Sequence, residues 1–283
     1  AGGFKSYGTR FKKNPIEIVW ANELNSEACK TYRKNFGEGI HEGDIWQKME
    51  ELPKAADIVI GGFPCQDISI NNKNATGVEG ARSGLYSAMV EVVRRTKPRV
   101  FVAENVRALL YPKHKKSLEQ VTKDFMDLGY NVSYQLYNAA DYGVSQTRER
   151  VFIVGSQEGK FIHPPPILNK ESWIPVSEVI SDLADLPEDP EFSHIWSLAK
   201  NGSEQGNRRL VAERPGYTMR AECHGNTHYH YALSRRMSMR EGARVQSFPD
   251  NFLFASKMRD TERQIGNAVP PVLAWHVAKE IVL

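Results

Sequence analysis

The sequence has only three cysteines, Cys29, Cys65 and Cys223, among 283 residues. They are too few and too scattered for a disulfide framework, so each must be judged singly and a reducing compartment is expected. No apolar run approaches the ~18 residues that would cross a bilayer, and no signal-peptide pattern opens the chain, so the expected location is cytoplasmic. Excess charge is also lacking. The 37 Lys and Arg residues against 34 Asp and Glu leave +3, which does not support a whole-surface grip on nucleic acid; any such contact must use local basic patches. There are no internal repeats and no low-complexity tracts. What remains, 41% hydrophobic and 25% charged residues, is globular in composition and long enough for one large domain plus a small one.

The first half alternates short β-branched runs with helical patterns, which predicts a parallel sheet flanked by helices. Strands are expected over 16–21, 57–60 and 99–103. Leu24, Ala28, Tyr32 and Phe36 mark one helix, while Leu118, Val121, Phe125 and Leu128 mark another that stops at Gly129. Alternation at Val132, Tyr134 and Leu136, followed by 150–155, predicts an antiparallel pair at a sheet edge. Prolines at 164–166, 187 and 190 precede a polar stretch rich in Gly, Asn, Arg and His. This predicts a small, loop-rich domain over 188–258, with a large domain formed by 1–187 and 259–283. The segment 270–283 opens on two prolines and reads as a helix returning to the large domain.

Three short segments carry chemistry. Gly61-Gly62-Phe63-Pro64-Cys65-Gln66 follows a buried strand at the carboxyl end, where open α/β sheets bind ligands. An isolated cysteine is ordinarily a small core hydrophobe, but a Gly-Gly-x-Pro turn is not explained by apolar packing. Ala103-Glu104-Asn105-Val106 also follows a predicted strand, so two strand ends can converge on one substrate. Gln146-Thr147-Arg148-Glu149-Arg150 leads into a third; its arginines could simply salt-bridge, or could hold an oxygen that gains negative charge.

In order, AGGF (1–4), GGFPCQ (61–66), AENV (103–106), QTRER (146–150), RRMSMREGARVQSFPDNF (235–252) and QIGNAVPPVLAW (264–275) resemble the bacterial DNA cytosine-5 methyltransferase family of restriction-modification systems. The resemblance covers nearly the whole chain. It implies a Rossmann-like, S-adenosylmethionine-dependent sheet with a small target-recognition domain, acting as a monomer on double-stranded DNA in the prokaryotic cytosol. The family carries a strand and a Phe-x-Gly element just before AGGF, and this sequence opens after that point.

The implied chemistry makes Cys65 the nucleophile at C6 of a flipped-out cytosine, since C5 is too electron-poor to take a methyl group unaided. Glu104 would protonate N3, Arg150 would contact O2, and Arg148 would support the catalytic loop. The cofactor would meet Gly2, Gly3, Phe4, Glu23, Leu24, Asp44, Ile45, Pro64, Asn267 and Ala268. Asp44 could equally be a helix N-cap and Asn267 a turn residue. Within the long stretch 67–84, Ser69, Arg82 and Ser83 are candidate DNA contacts, together with Gln66. Arg94-Arg95 and the run from Lys113 to Lys116 read as solvated helix ends. Base choice would fall to Arg220, His224, Asn226 and His228, with Arg208 and Arg209 nearby. Cys223, His224, His228 and His230 lack paired-finger spacing, so no metal is expected. A methyltransferase acting on transfer RNA and a non-catalytic DNA-binding relative are the alternatives. A cognate restriction endonuclease would be a functional partner.

Overall fold

Strands that are apolar on both faces need cover on both faces, and the architecture follows from that. The computed structural model describes residues 16–63, 84–198, 208–221 and 228–282. A four-stranded sheet runs in the order β3 (Ile58–Gly62), β4 (Val100–Val106), β6 (Glu149–Ser156), β5 (Asn131–Asn138). β3 and β4 are parallel, while β6 is antiparallel to both β4 and β5. A separate parallel ladder joins β1 (Ala21–Glu23) to β2 (Ile40–Glu42).

The period of two sorts the strand residues into two layers. Phe101, Ala103, Val151 and Ile153 pack with Met89 and Val93 of α2 (Leu85–Thr96) and with Val121 and Phe125 of α3 (Lys115–Asp127). The Phe101 and Phe125 rings stack at 4.1 Å. Their alternates Val100, Val102, Phe152 and Val154 pack on the other face with Val272, Leu273 and Val277 of α7 (Pro271–Val282). The sheet is therefore doubly wound. At about 1.5–3 kcal/mol for each large apolar side chain removed from water, these layers fix the strand register.

Helix limits follow their caps. α1 (Ser26–Phe36) starts where Asn25 accepts the Ala28 amide at 2.9 Å, and α3 gives way at Leu128 to Gly129, whose φ is +93°. A third cluster combines Val176 and Ile180 of α4 (Val176–Ile180) with Met219, Met237, Met239 and Ala243, and with Ile265 of α6 (Met258–Asn267). This core draws on residues outside 188–258. Among the described residues no helix is long and apolar enough to cross a membrane.

The structure corrects several expectations. Residues 16–20 form no strand, and only three residues of β1 pair; Ile18 and Val19 are 54% and 61% exposed. They have no ladder partner among the described residues. Among the described residues β3 is likewise an edge strand with an apolar residue outward, Ile60 being 76% exposed. Gly61 and Gly62 belong to β3 rather than to the turn after it, and Glu104 lies inside β4 rather than beyond it, because the ladder with β6 continues through Val106. The loop-rich region also contains α5 (Met239–Val245), started by a capping box in which Ser238 and Glu241 each accept the other's backbone amide. Helix α6 was not anticipated, since its sequence is mostly polar and only Thr261, Ile265 and Gly266 are buried.

Candidate active site

Strand register brings an acid and an arginine together. Glu104 lies opposite Phe152, and Arg150 lies opposite Val106, two residues along on the same face. Long side chains at such diagonal positions can meet. Here Arg150 Nε is 2.6 Å from Glu104 Oε1, and both side chains are largely withdrawn from solvent, at 12% and 21% exposure. A second Arg150 nitrogen donates to the Glu149 carbonyl at 2.8 Å.

Burial raises the Glu104 carboxyl above its ordinary range, although the Arg150 and Arg148 charges pull the other way. Burial lowers Arg150, again against the pull of Glu104. Loss of solvation outweighs the pairing on both sides, so this acid takes up a proton more readily than a surface glutamate.

Gly62 makes room for this arrangement. It is the register partner of Glu104 on β3, and a Cβ added there would lie 3.3 Å from Glu104 Oε2. On the opposite face of β4, the buried Asn105 side chain donates to the Phe63 carbonyl at 2.8 Å and accepts the Val106 amide at 2.8 Å. It thus pins the last described residue before Pro64 and Cys65. Cys65, Pro64, Gln66, Ser69, Arg82 and Ser83 lie outside the described residues, as do Gly2, Gly3, Phe4, His224 and Asn226.

Arg148 is fully buried, and its hydrogen bonds go to the carbonyls of Met219 at 2.8 Å and Gly266 at 2.7 Å. Burial and the Arg150 charge push it down to about 9, with Glu104 opposing, so it remains a cation at neutral pH. It sits at the C-terminal end of α6, where a cation suits the helix dipole. Gln246 completes that end by donating to the Ile265 and Ala268 carbonyls, both at 2.9 Å. Gln146 donates to Gln246 at 2.7 Å and accepts the Met219 amide at 3.2 Å. Gln146 and Asn105 stand within the quoted motifs, yet their buried-amide roles could not be read without the strand register.

Of the residues expected to meet the cofactor, Glu23 ends β1 and Asp44 follows β2 by two residues. The Gly43 amide donates to the Glu23 carbonyl at 3.0 Å, holding the two segments side by side. Asp44 caps the 3-10 helix Ile45–Glu51 by accepting the Trp46 amide at 2.9 Å, so the capping alternative is realised. Leu24 is 71% exposed, and Asn267 is an exposed last residue of α6. Cys29 is an ordinary core residue, fully buried on α1.

Of the residues expected at or near the base contacts, Arg208, Arg209 and Arg220 are exposed. Arg209 is already committed to the carbonyls of His230 and Leu233. His228 is 2% exposed, and burial pushes it down to about 4, so in this structure it is a neutral interior ring rather than an exposed donor. That corrects its expected place among the DNA contacts. Arg240 and Arg244 serve structure: Arg240 binds the Phe192, Pro249 and Phe252 carbonyls, and Arg244 chelates Asp250.

A doubly wound sheet with a buried acid–arginine pair where parallel strands end defines an α/β protein with a candidate active site at that border. Solved structures agree on the fold. The S. pombe Dnmt2 methyltransferase superposes with a TM-score of 0.73 at 14% identity, covering 95% of this chain and 91% of that one. The Entamoeba histolytica methyltransferase EhMeth gives 0.66 at 15% identity, with 99% and 94% covered. Sequence defines the class more narrowly. The C-5 cytosine-specific DNA methylase family matches residues 1–214 and 194–283. The type II methyltransferase M.NgoFVII of Neisseria gonorrhoeae is 37% identical over 96% of this chain and 82% of its own length. M.MthTI of Methanothermobacter thermautotrophicus is 33% identical, with 96% and 92% covered. The chain belongs to the C-5 cytosine-specific DNA methylase family and is a DNA (cytosine-5)-methyltransferase, a member of a family that uses S-adenosylmethionine.

Proposed function

We propose that the Cys65 thiolate adds to C6 of a cytosine extruded from duplex DNA, forming an S–C6 bond while Glu104 gives its proton to N3 and Arg150 holds O2. The observation that carries this reading is the buried Glu104–Arg150 pair at the end of β4, over the bare face of Gly62. Proton donation to N3 lets the electron pair collect at C5. S-adenosylmethionine supplies an electrophilic methyl group when bound. After C5 is methylated it loses its proton, the S–C6 bond breaks, Cys65 leaves as thiolate, and N3 returns its proton to Glu104. Water is the acceptor we assign for the C5 proton.

The residues present fit the cofactor. Ribose hydroxyls and an adenine amine need acceptors, and Glu23 and Asp44 offer carboxylates on adjoining segments. Gly2, Gly3, Phe4, Leu24, Ile45, Pro64, Asn267 and Ala268 complete the assigned site. Gln66, Ser69, Arg82, Ser83, Arg220, His224 and Asn226 are assigned to DNA. The large domain is taken as 1–187 and 259–283 and the target-recognition domain as 188–258, with a monomer acting on each duplex. The relatives named above are type II methyltransferases; by extension, methylation by this chain protects DNA from a cognate restriction endonuclease.

DNA amplified with 5-fluorocytosine tests the covalent step, since fluorine at C5 cannot leave as a proton does. With S-adenosylmethionine, the protein should form an adduct that survives denaturing electrophoresis, and Cys65→Ala should form none. An adduct that persists in Cys65→Ala rules the assignment out.

A further inference from the structure

Helix α6 lies closely against the Met219–Ala221 segment at Gly266. A Cβ placed on Gly266 would stand 2.6 Å from both the carbonyl carbon and the oxygen of Arg220, and 2.7 Å from the Ala221 nitrogen. All three are backbone atoms, so no side-chain rotation could relieve the overlap. The last turn of α6 can lie on that peptide only because residue 266 has no side chain.

The same peptide segment is held from its other side by buried groups. Gln146 accepts the Met219 amide, and Arg148 takes the Met219 carbonyl with one nitrogen and the Gly266 carbonyl with the other. One guanidinium therefore ties the C-terminal end of α6 to the strand-like segment that Gly266 abuts. Gln246 extends the tie to Ile265 and Ala268 on either side. Arg220 projects from this segment and is exposed, and Asn267 follows Gly266 directly.

We propose that Gly266 is a positioning residue for target discrimination. By seating the Arg220–Ala221 peptide directly on the C-terminal turn of α6, it fixes Arg220 relative to the turn that carries Asn267 and Ala268. The inference rests on the reading of Arg220 as a DNA contact and of Asn267 as a cofactor contact. Its consequence is that target reading and the cofactor turn shift together. A displaced Arg220 loses discrimination even where the protein remains folded, since one mismatched position ordinarily costs about 5- to 150-fold in discrimination.

The test is Gly266→Ala in the intact protein, with methylation of a plasmid read at single-base resolution. The ratio of methylation at the wild-type target to methylation at all other cytosines should fall about fivefold, the lower end of that mismatch cost. The melting temperature is measured alongside. A second readout is the factor by which S-adenosylhomocysteine tightens binding of a target duplex, which should shrink in the variant. A melting temperature and ratio both like wild type would overturn the proposal. If Gly266→Ala does not fold, Arg148→Lys serves, since one ammonium cannot hold both the Met219 and Gly266 carbonyls in the guanidinium geometry. It should lower the ratio, and an unchanged ratio there is equally fatal. Failure of the wild-type protein to methylate any plasmid cytosine would instead reject the functional reading on which this rests.

Discussion

The acid–arginine edge and the proposed cofactor edge are built in opposite ways. Glu104 and Arg150 lie within strands of seven and eight residues, paired through long ladders and largely buried. Glu23 and Asp44 come from three-residue strands and the turn after them, and Asp44 is exposed. The first edge holds its charges by register and dry packing, so its chemistry depends on tenths of an ångström and on solvation. The second holds backbone segments side by side and leaves its carboxylates available. Substitutions at the first should therefore act on the rate of chemistry, and those at the second on cofactor affinity.

The largest effect is expected from Glu104→Ala. Losing a positioned proton donor should lower kcat about 10²–10⁴-fold, with duplex affinity within a few-fold of wild type. Single-turnover methylation and equilibrium binding separate the two, and an equal loss in both would dissolve the contrast between edges. The pH profile sharpens it. Burial raises the Glu104 carboxyl, so its protonated form persists to higher pH than that of an ordinary glutamate and is lost as pH rises through the raised value. That loss should appear as an alkaline fall in kcat/KM. In Glu104→Gln the amide donates at every pH, so this fall should vanish while the rate at its optimum drops. Superimposable profiles for the two proteins would remove the proton from the role given to it.

A smaller effect is expected where the acid's space is invaded. Gly62→Val suits a strand residue, so the fold should survive, but its side chain would stand where the Glu104 carboxylate lies. Displacing one transition-state donor without deleting it should cost about tenfold in kcat, below the 10²–10³ seen when such donors are removed outright. Wild-type turnover by this variant would mean that the carboxylate has other room.

Much of this edge could be read from residue order alone. AENV and QTRER announced the acid and the arginine that meet, because the carboxyl end of β4 and the start of its antiparallel neighbour β6 share one border, while the Pro-Cys turn lies outside the described residues. What could not be read was which residues make the meeting possible. Gly62 and Asn105 act through the register of β3 on β4, and register is a tertiary property. Strand limits erred for a related reason: Glu104 looks like a loop charge in sequence, yet it stays in the ladder because β6 continues to pair with it. The expected strand over 16–21 failed in the opposite sense: apolar residues are present, but among the described residues only Ala21 enters a ladder. Within 188–258, Ser238 and Glu241 form a capping box with a sequence signature, whereas the buried His228 is of a residue type that reads bases but has the surroundings of a core residue.

The smallest effect concerns Asp44, where capping and cofactor binding compete as explanations. Asn and Asp cap helices about equally well, so Asp44→Asn should keep the hydrogen bond to the Trp46 amide and leave the melting temperature unchanged. The lost charge should weaken an adenine contact by about 1 kcal/mol, raising KM for S-adenosylmethionine roughly fivefold while kcat holds. Asp44→Ala removes both functions, so it should add a stability loss of about 1 kcal/mol to the same or a larger rise in KM. If Asp44→Asn binds S-adenosylmethionine as tightly as wild type and only Asp44→Ala is impaired, the residue is a cap alone. The cofactor edge would then rest on Glu23 and on backbone, making it still less dependent on buried charge than the edge that carries Glu104.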